Sequence, residues 1–205
     1  MVKKSANFYF PDLPRVVQKN NVYCGPACLE MLTGFQNVHL DQEDFVQALG
    51  LEKKIYQRGL FVEEMALTIN KLLPELCFWF KECATIKELS QLVNVFKHPV
   101  GVEWQGVFRY ATRQEAEDDD PGHYSLITAL ETKKNLIMMA DPYKDYAGKD
   151  RKFTVLEFER RWWDINKVVD SKRGKTKEVY DYRVMFIVTP QKATFPLRLE
   201  MTKIS

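Results

Sequence analysis

Apolar and polar residues follow two different rhythms along this chain, and the change falls near Pro74. Before it the rhythm is helical. Ala27, Cys28, Met31 and Leu32 recur at near-helical steps, the spacing of one buried face. They predict a helix from Cys24 to Gly34, a residue suited to capping a C-terminus. Gly25 and Pro26 fall in its first turn, where proline is tolerated because its missing N–H would go unpaired anyway. Asp41 predicts the cap of a short second helix that reaches Leu49 and closes at Gly50. Leu60, Phe61, Met65, Ile69, Leu72 and Leu73 share one side of a third helix over 60–73. Residues 1–17 read as extended, since Pro11 and Pro14 follow Phe8, Tyr9 and Phe10 and oppose helix.

Beyond Pro74 the apolar runs shorten. Leu76–Phe80 reads as a strand, and Thr85-Ile86-Lys87-Glu88 has the capping-box form that opens a helix through about Phe96. In Pro99–Trp104, Val100, Val102 and Trp104 alternate with Gly101 and Glu103, which predicts another strand. Residues 106–121 read as a polar, acidic loop. His123–Leu130 and Leu136–Ala140 then predict a hairpin turning near Thr132–Asn135. A second capping box, Thr154-Val155-Leu156-Glu157, precedes a helix carrying Phe158, Trp162 and Trp163. Tyr182–Val188 reads as a last strand, and the tail 191–205 either frays or adds an edge strand. Helices segregated from strands argue for an α+β fold with an antiparallel sheet. The expected organisation is one domain over 1–190, with a helical lobe about 15–75 and a sheet lobe about 76–190, followed by the tail 191–205.

Composition narrows the class. Of 205 residues 45% are hydrophobic, ample for a packed core. Lysine plus arginine number 30 against 28 acidic residues, so the net charge of +2 singles out neither nucleic acid nor membrane as a partner. No apolar run reaches the roughly 18 residues a spanning helix needs. Met1-Val2-Lys3-Lys4-Ser5 leads into no long apolar stretch, so no signal peptide is expected. Four cysteines without a secretory signal then point to reduced thiols and a cytoplasmic location.

Cys24 is the candidate nucleophile. A thiol at a helix N-terminus feels the positive end of the dipole, which favours the reactive thiolate. Gln18 lies upstream and can aim an amide at whatever the thiol attacks. The bland alternative is a buried, packing cysteine, the reading preferred for Cys28 over a redox partner of Cys24. Cys24, Cys28, Cys77 and Cys83 lack the tight pair spacing of a zinc site, so neither metal nor cofactor is expected. A cysteine nucleophile needs a base, and histidine suits the role. Of His39, His98 and His123, the last is favoured. It follows Pro121-Gly122, and a glycine there allows close approach at the start of a strand. Asp141, at the far end of the paired strand, can orient that imidazole, although Asp141-Pro142 is also a common turn opener. The Glu115–Asp120 run is read as a solvated loop, or else as a cleft border favouring a basic substrate. Trp104, Trp162 and Trp163 are read as core and lobe interface rather than a substrate platform. The lysine-rich 171–177 stretch is read as a surface turn.

The order Gln18, Cys24-Gly25-Pro26-Ala27-Cys28, Gly122-His123-Tyr124 and Asp141-Pro142 resembles the family-39 cysteine peptidases, papain-like enzymes that include the bacteriocin-processing double-glycine peptidases. The likeness covers roughly residues 12 to 165 and includes Phe158, Trp162 and Trp163. It implies a stand-alone member with a papain-like fold. Gln18 would supply the oxyanion-hole amide, Cys24 the nucleophile, His123 the base and Asp141 its orienter. The segment Phe108–Asp120 is longer and more acidic than the family pattern. The implied reaction is hydrolysis of a peptide or amide bond through an acyl-enzyme, with a peptide or protein as substrate. Two alternatives share the site: transglutaminase- or amidase-type acyl transfer, and a silent peptide-binding module.

Overall fold

A computed structural model describes residues 9–106, 122–169 and 176–204. The Glu115–Asp120 run and residues 171–175 lie outside the described residues. In chain order come α1 (Cys24–Phe35), α2 (Gln42–Gln47), α3 (Ile55–Arg58), α4 (Val62–Leu72), β1 (Leu76–Lys81), α5 (Ile86–Asn94) and β2 (Val100–Gln105). Then follow β3 (Gly122–Glu131), β4 (Leu136–Ala140), β5 (Asp150–Phe153), α6 (Val155–Arg161), β6 (Trp163–Val169), β7 (Thr176–Tyr182), β8 (Met185–Pro190) and β9 (Thr202–Ile204). The result is a mixed α+β fold with a helical and a sheet lobe.

The helix caps follow the sequence closely. Asp41 accepts from the Glu43 N–H, and the Asp44 carboxylate reaches back to the Asp41 N–H. Thr85 with Glu88, and Thr154 with Glu157, form the two expected capping boxes. Each box satisfies N–H groups that the first helical turn leaves without partners. The central helix differs from expectation. Its spacing predicts one buried face, yet α1 is buried from Cys24 through Leu29 and again from Met31 to Gly34. It packs against α2, α4, β3 and β8 at once, so nearly every side of it is interior. Glu30, its one charged residue, receives the Gln42 amide at 2.8 Å.

Seven strands form one sheet in the order β5-β4-β3-β2-β8-β1-β9, every pair antiparallel. The penultimate strand in sequence, β8, lies between β1 and β2 and joins the five earlier strands of the sheet into one. The tail supplies an edge strand, β9, on β1. Phe186 of β8 stacks on Phe78 at a centroid distance of 5.4 Å and meets Tyr124 edge-on at 5.8 Å. Its ring also crowds Gly101 of β2, where an added Cβ would stand 2.1 Å from the ring. Gly101→Ala is therefore expected to cost at least ~1–3 kcal/mol as an overpacked core, read as a lower urea midpoint at unchanged slope.

Three differences from the sequence reading have physical causes. The strand expected over Tyr182–Val188 is two strands, because Arg183 turns the chain at φ 51° between β7 and β8. The helix expected to carry Phe158, Trp162 and Trp163 stops at Arg161, so it carries only Phe158, Trp162 caps its end and Trp163 begins β6. Strands β5, β6 and β7 are charged and lack strict alternation, so their periodicity hid them. Trp104 and Trp162 are core residues, their indole N–H groups donating to the Ser125 hydroxyl and the Val184 carbonyl.

Candidate active site

Cys24 opens α1, and α1 packs on β3, whose second residue is His123. The thiol hydrogen-bonds the imidazole. His123 Nε2 lies 2.8 Å from Asp141 Oδ1, which leaves Nδ1 as the ring nitrogen for sulfur. Register explains the pairing: Leu126 of β3 faces Ala140 of β4, so Asp141 emerges beside the start of β3. His123 and Asp141 are both about 2% exposed, and Cys24 is 8% exposed. His39 and His98 take no part in this chain. His98 packs against Phe195, with burial lowering its basicity.

The electrostatics of the pair are those of a buried ion pair. Burial opposes charge on His123, but the Asp141 carboxylate and its hydrogen bond, with the thiol beside it, lift the ring to about 10. Burial likewise opposes charge on Asp141. The His123 cation, the Tyr143 N–H at 2.9 Å and Arg151 at 2.6 Å outweigh it and hold the carboxyl below its usual range. Arg151 is a further site residue, with its guanidinium 3.7 Å over the Tyr146 ring. Nothing in the sequence marked it, because β5 has no amphipathic rhythm.

Gln18 is buried on the strap of residues 9–23 that precedes α1. Its backbone N–H donates to the Pro142 carbonyl at 2.8 Å, tying the strap to the residue after Asp141. Its Nε2 donates to the Asn20 carbonyl at 2.8 Å, while its Oε1 accepts nothing from the described residues. Gln42, 2% exposed, brackets this residue. It accepts from the Lys19 N–H and donates to the Val17 carbonyl, each at 2.9 Å. Sequence reading missed Gln42 because glutamine within a capping segment is ordinarily solvated.

Cys28, one turn along α1, is fully buried, and burial pushes its thiol up. That agrees with packing rather than a second reactive thiol. The glycine before His123 also has its reason. A Cβ at Gly122 would stand 2.0 Å from an Asp164 carboxylate oxygen, so the close approach is made by Asp164 of β6.

A helical lobe presenting a cysteine at a helix start, beside a sheet lobe presenting histidine and aspartate on adjacent strands, defines a cysteine-peptidase-like architecture. The sequence model of the Peptidase_C39 like family matches residues 10–170, and the chain belongs to that family. Among solved structures it is similar to the peptidase domain of Streptococcus ComA, a bi-functional ABC transporter involved in a quorum-sensing pathway. The identity is 15%, the match covers 87% of this chain and 99% of that one, and the TM-score is 0.58. No curated protein sequence matches. Among the described residues no helix is long and apolar enough to cross a membrane.

Proposed function

We propose that the protein is a papain-like cysteine peptidase that hydrolyses a peptide or amide bond through an acyl-enzyme. The observation that carries this reading is the buried Cys24–His123–Asp141 chain at the start of α1. Cys24 attacks the carbonyl as a thiolate. His123 Nδ1 protonates the leaving amine, then takes a proton from the water that releases the acyl group. Asp141 holds the ring by Nε2 so that Nδ1 faces sulfur. The tetrahedral oxyanion sits at the start of α1, where the N–H of the first helical residue lies outside the helical ladder. Gln18 supplies the second donor through the Nε2 hydrogen not given to Asn20. No step in this scheme calls for a metal or an organic cofactor.

Alkylation of Cys24 by iodoacetamide across pH, read by mass spectrometry, tests the nucleophile and its base together. At neutral pH wild type should alkylate at least about tenfold faster than His123→Ala. Equal rates in the two would sink the reading. Gln18→Ala separates the oxyanion donor from the nucleophile. It is expected to lower kcat by about 10²–10³ while leaving Cys24 alkylation unchanged. An unaltered kcat on a fluorogenic peptide would remove Gln18 from the machinery.

A further inference from the structure

A pocket of about 110 Å³ that the mechanism above does not use has Tyr124, a neighbour of the start of α1, in its wall. A single water needs only roughly 10–15 Å³ of such space, so the pocket has room for one long side chain. Gly25, next to Cys24, abuts one of its walls. A Cβ there would meet Leu60 at 3.3 Å and Tyr124 at 3.5 Å. Tyr124 is a wall of the pocket, and Leu60 directly precedes another wall, Phe61.

The lining has two characters. Phe61, Phe80 and Val179 offer apolar surface, while Glu63, Glu82, Glu103 and Asp181 offer carboxyl groups, and among the described residues no lysine or arginine lines it. Arg58, over the Phe61 ring, is held by both oxygens of Glu64 at 2.6 and 2.8 Å. Asp181 receives the Asn166 amide at 2.6 Å. Glu103 is the informative member. It is 4% exposed, its Oε1 accepts from the Tyr124 hydroxyl at 2.8 Å, its Oε2 accepts from no N–H or hydroxyl among the described residues, and its carboxyl shares a hydrogen bond with that of Asp164. Asp164, itself buried and receiving the Gln105 amide at 2.7 Å, adds its field behind Glu103.

A buried carboxyl whose remaining neighbours are other carboxyls is costly to ionise in the free protein, and a donor cation entering the pocket relieves that cost. Burial pushes the Glu103 carboxyl well above its usual range, as do the Asp164 and Asp181 charges, against the pull of the Tyr124 bond. Its ionisation thus awaits a counter-charge. The cation is organic rather than metallic: among the described residues no three His, Cys, Asp or Glu side chains gather to hold a metal ion. The apolar walls suit a long methylene stem that carries its charge at the tip.

We propose that this pocket is a specificity subsite that receives a cationic side chain, an amine or guanidinium on a long stem, from the peptide whose bond Cys24 attacks. The proposal rests on the peptidase reading above. Acetyl-tripeptide chloromethyl ketones, with lysine, norleucine or glutamate walked through the three positions, provide the test, and Cys24 modification is read by mass. At one position lysine should outpace norleucine about tenfold or more, with glutamate slowest. Glu103→Gln should bring the lysine-to-norleucine ratio close to one, and the half-buried Asp181→Asn should lower it in part. Thermal unfolding shows that each variant is folded. A ratio near one in wild type, with Cys24 still activated by His123, overturns the subsite and leaves the peptidase reading standing. So does a lysine preference that survives Glu103→Gln.

Should no reagent outpace its reaction with free cysteine, the peptidase reading fails, and NMR titration decides the pocket alone. Lysine amide, but not norleucine amide, should then shift the Tyr124, Asp181 and Val184 amides. No shift overturns the subsite.

Discussion

Asp141→Ala should lower kcat/KM on a fluorogenic peptide by about 10³–10⁴, because His123 loses both its anchor and the charge that keeps it protonated. With the carboxylate gone, only the Cys24 thiol is left to oppose burial, and burial lowers the basicity of the ring. The alkaline limit of activity should therefore move down from about 10, toward or below the ordinary histidine value. Asp141→Asn keeps an acceptor for Nε2 without the charge, and should recover at least about tenfold over alanine. A merely structural aspartate would show neither the shifted limb nor the rescue. Stability falls as well, since Arg151 donates to Asp141 at 2.6 Å and its side chain is only 12% exposed.

The same pair sets a pH window for stability. His123 is raised above its unfolded value, so its contribution is complete below about 6.5 and lost as pH climbs through about 10. Asp141 is depressed, so its contribution is present above about 3.8 and lost as pH falls further. The melting temperature should plateau between these limits and decline on the alkaline side. In Asp141→Ala the part of that decline owed to the pair disappears.

Local interactions are legible in the sequence, and distant ones are not. Asp41, Thr85 and Thr154 announced helix starts, because a capping box is a local exchange of hydrogen bonds within four residues. The His123 and Asp141 strands were visible because both are apolar runs with a turn between them, and a hairpin converts that adjacency into contact. Arg151, Gln42 and Glu103 were not visible. Each acts through a partner far along the chain: Arg151 through Asp141, Gln42 through the strap around Gln18, Glu103 through Asp164 and the wall residues of the pocket. A polar residue carries no local sign that its partners will be buried with it. Strand β5 escaped for a related reason, since its Asp-Arg-Lys-Phe run is held by charge pairs instead of an apolar face.

Arg15→Met should be the most destabilising change outside the site. Arg15 binds both oxygens of Asp150 at 3.1 Å, with side chains 8% and 1% exposed. It also donates to the Phe10 and Leu13 carbonyls, each at 2.6 Å, so it clamps the strap preceding α1 onto β5. Removing one partner of a buried pair strands the other charge, at a typical cost of about 3–5 kcal/mol. For a chain of this size that lowers the melting temperature by roughly 6–20 °C. Neutralising both ends, Arg15→Met with Asp150→Asn, should return part of the loss, because the Thr128 hydroxyl still has the residue-150 side chain to meet. The clamp also reaches the site, since the strap runs on to Gln18 and its bond to Pro142. Below its melting temperature, Arg15→Met should hydrolyse more slowly while Cys24 alkylates at the wild-type rate. The thiol and imidazole are set by α1 and β3, and the oxyanion donor by the strap. Equal losses in both rates would place the strap under the whole site instead of under Gln18 alone.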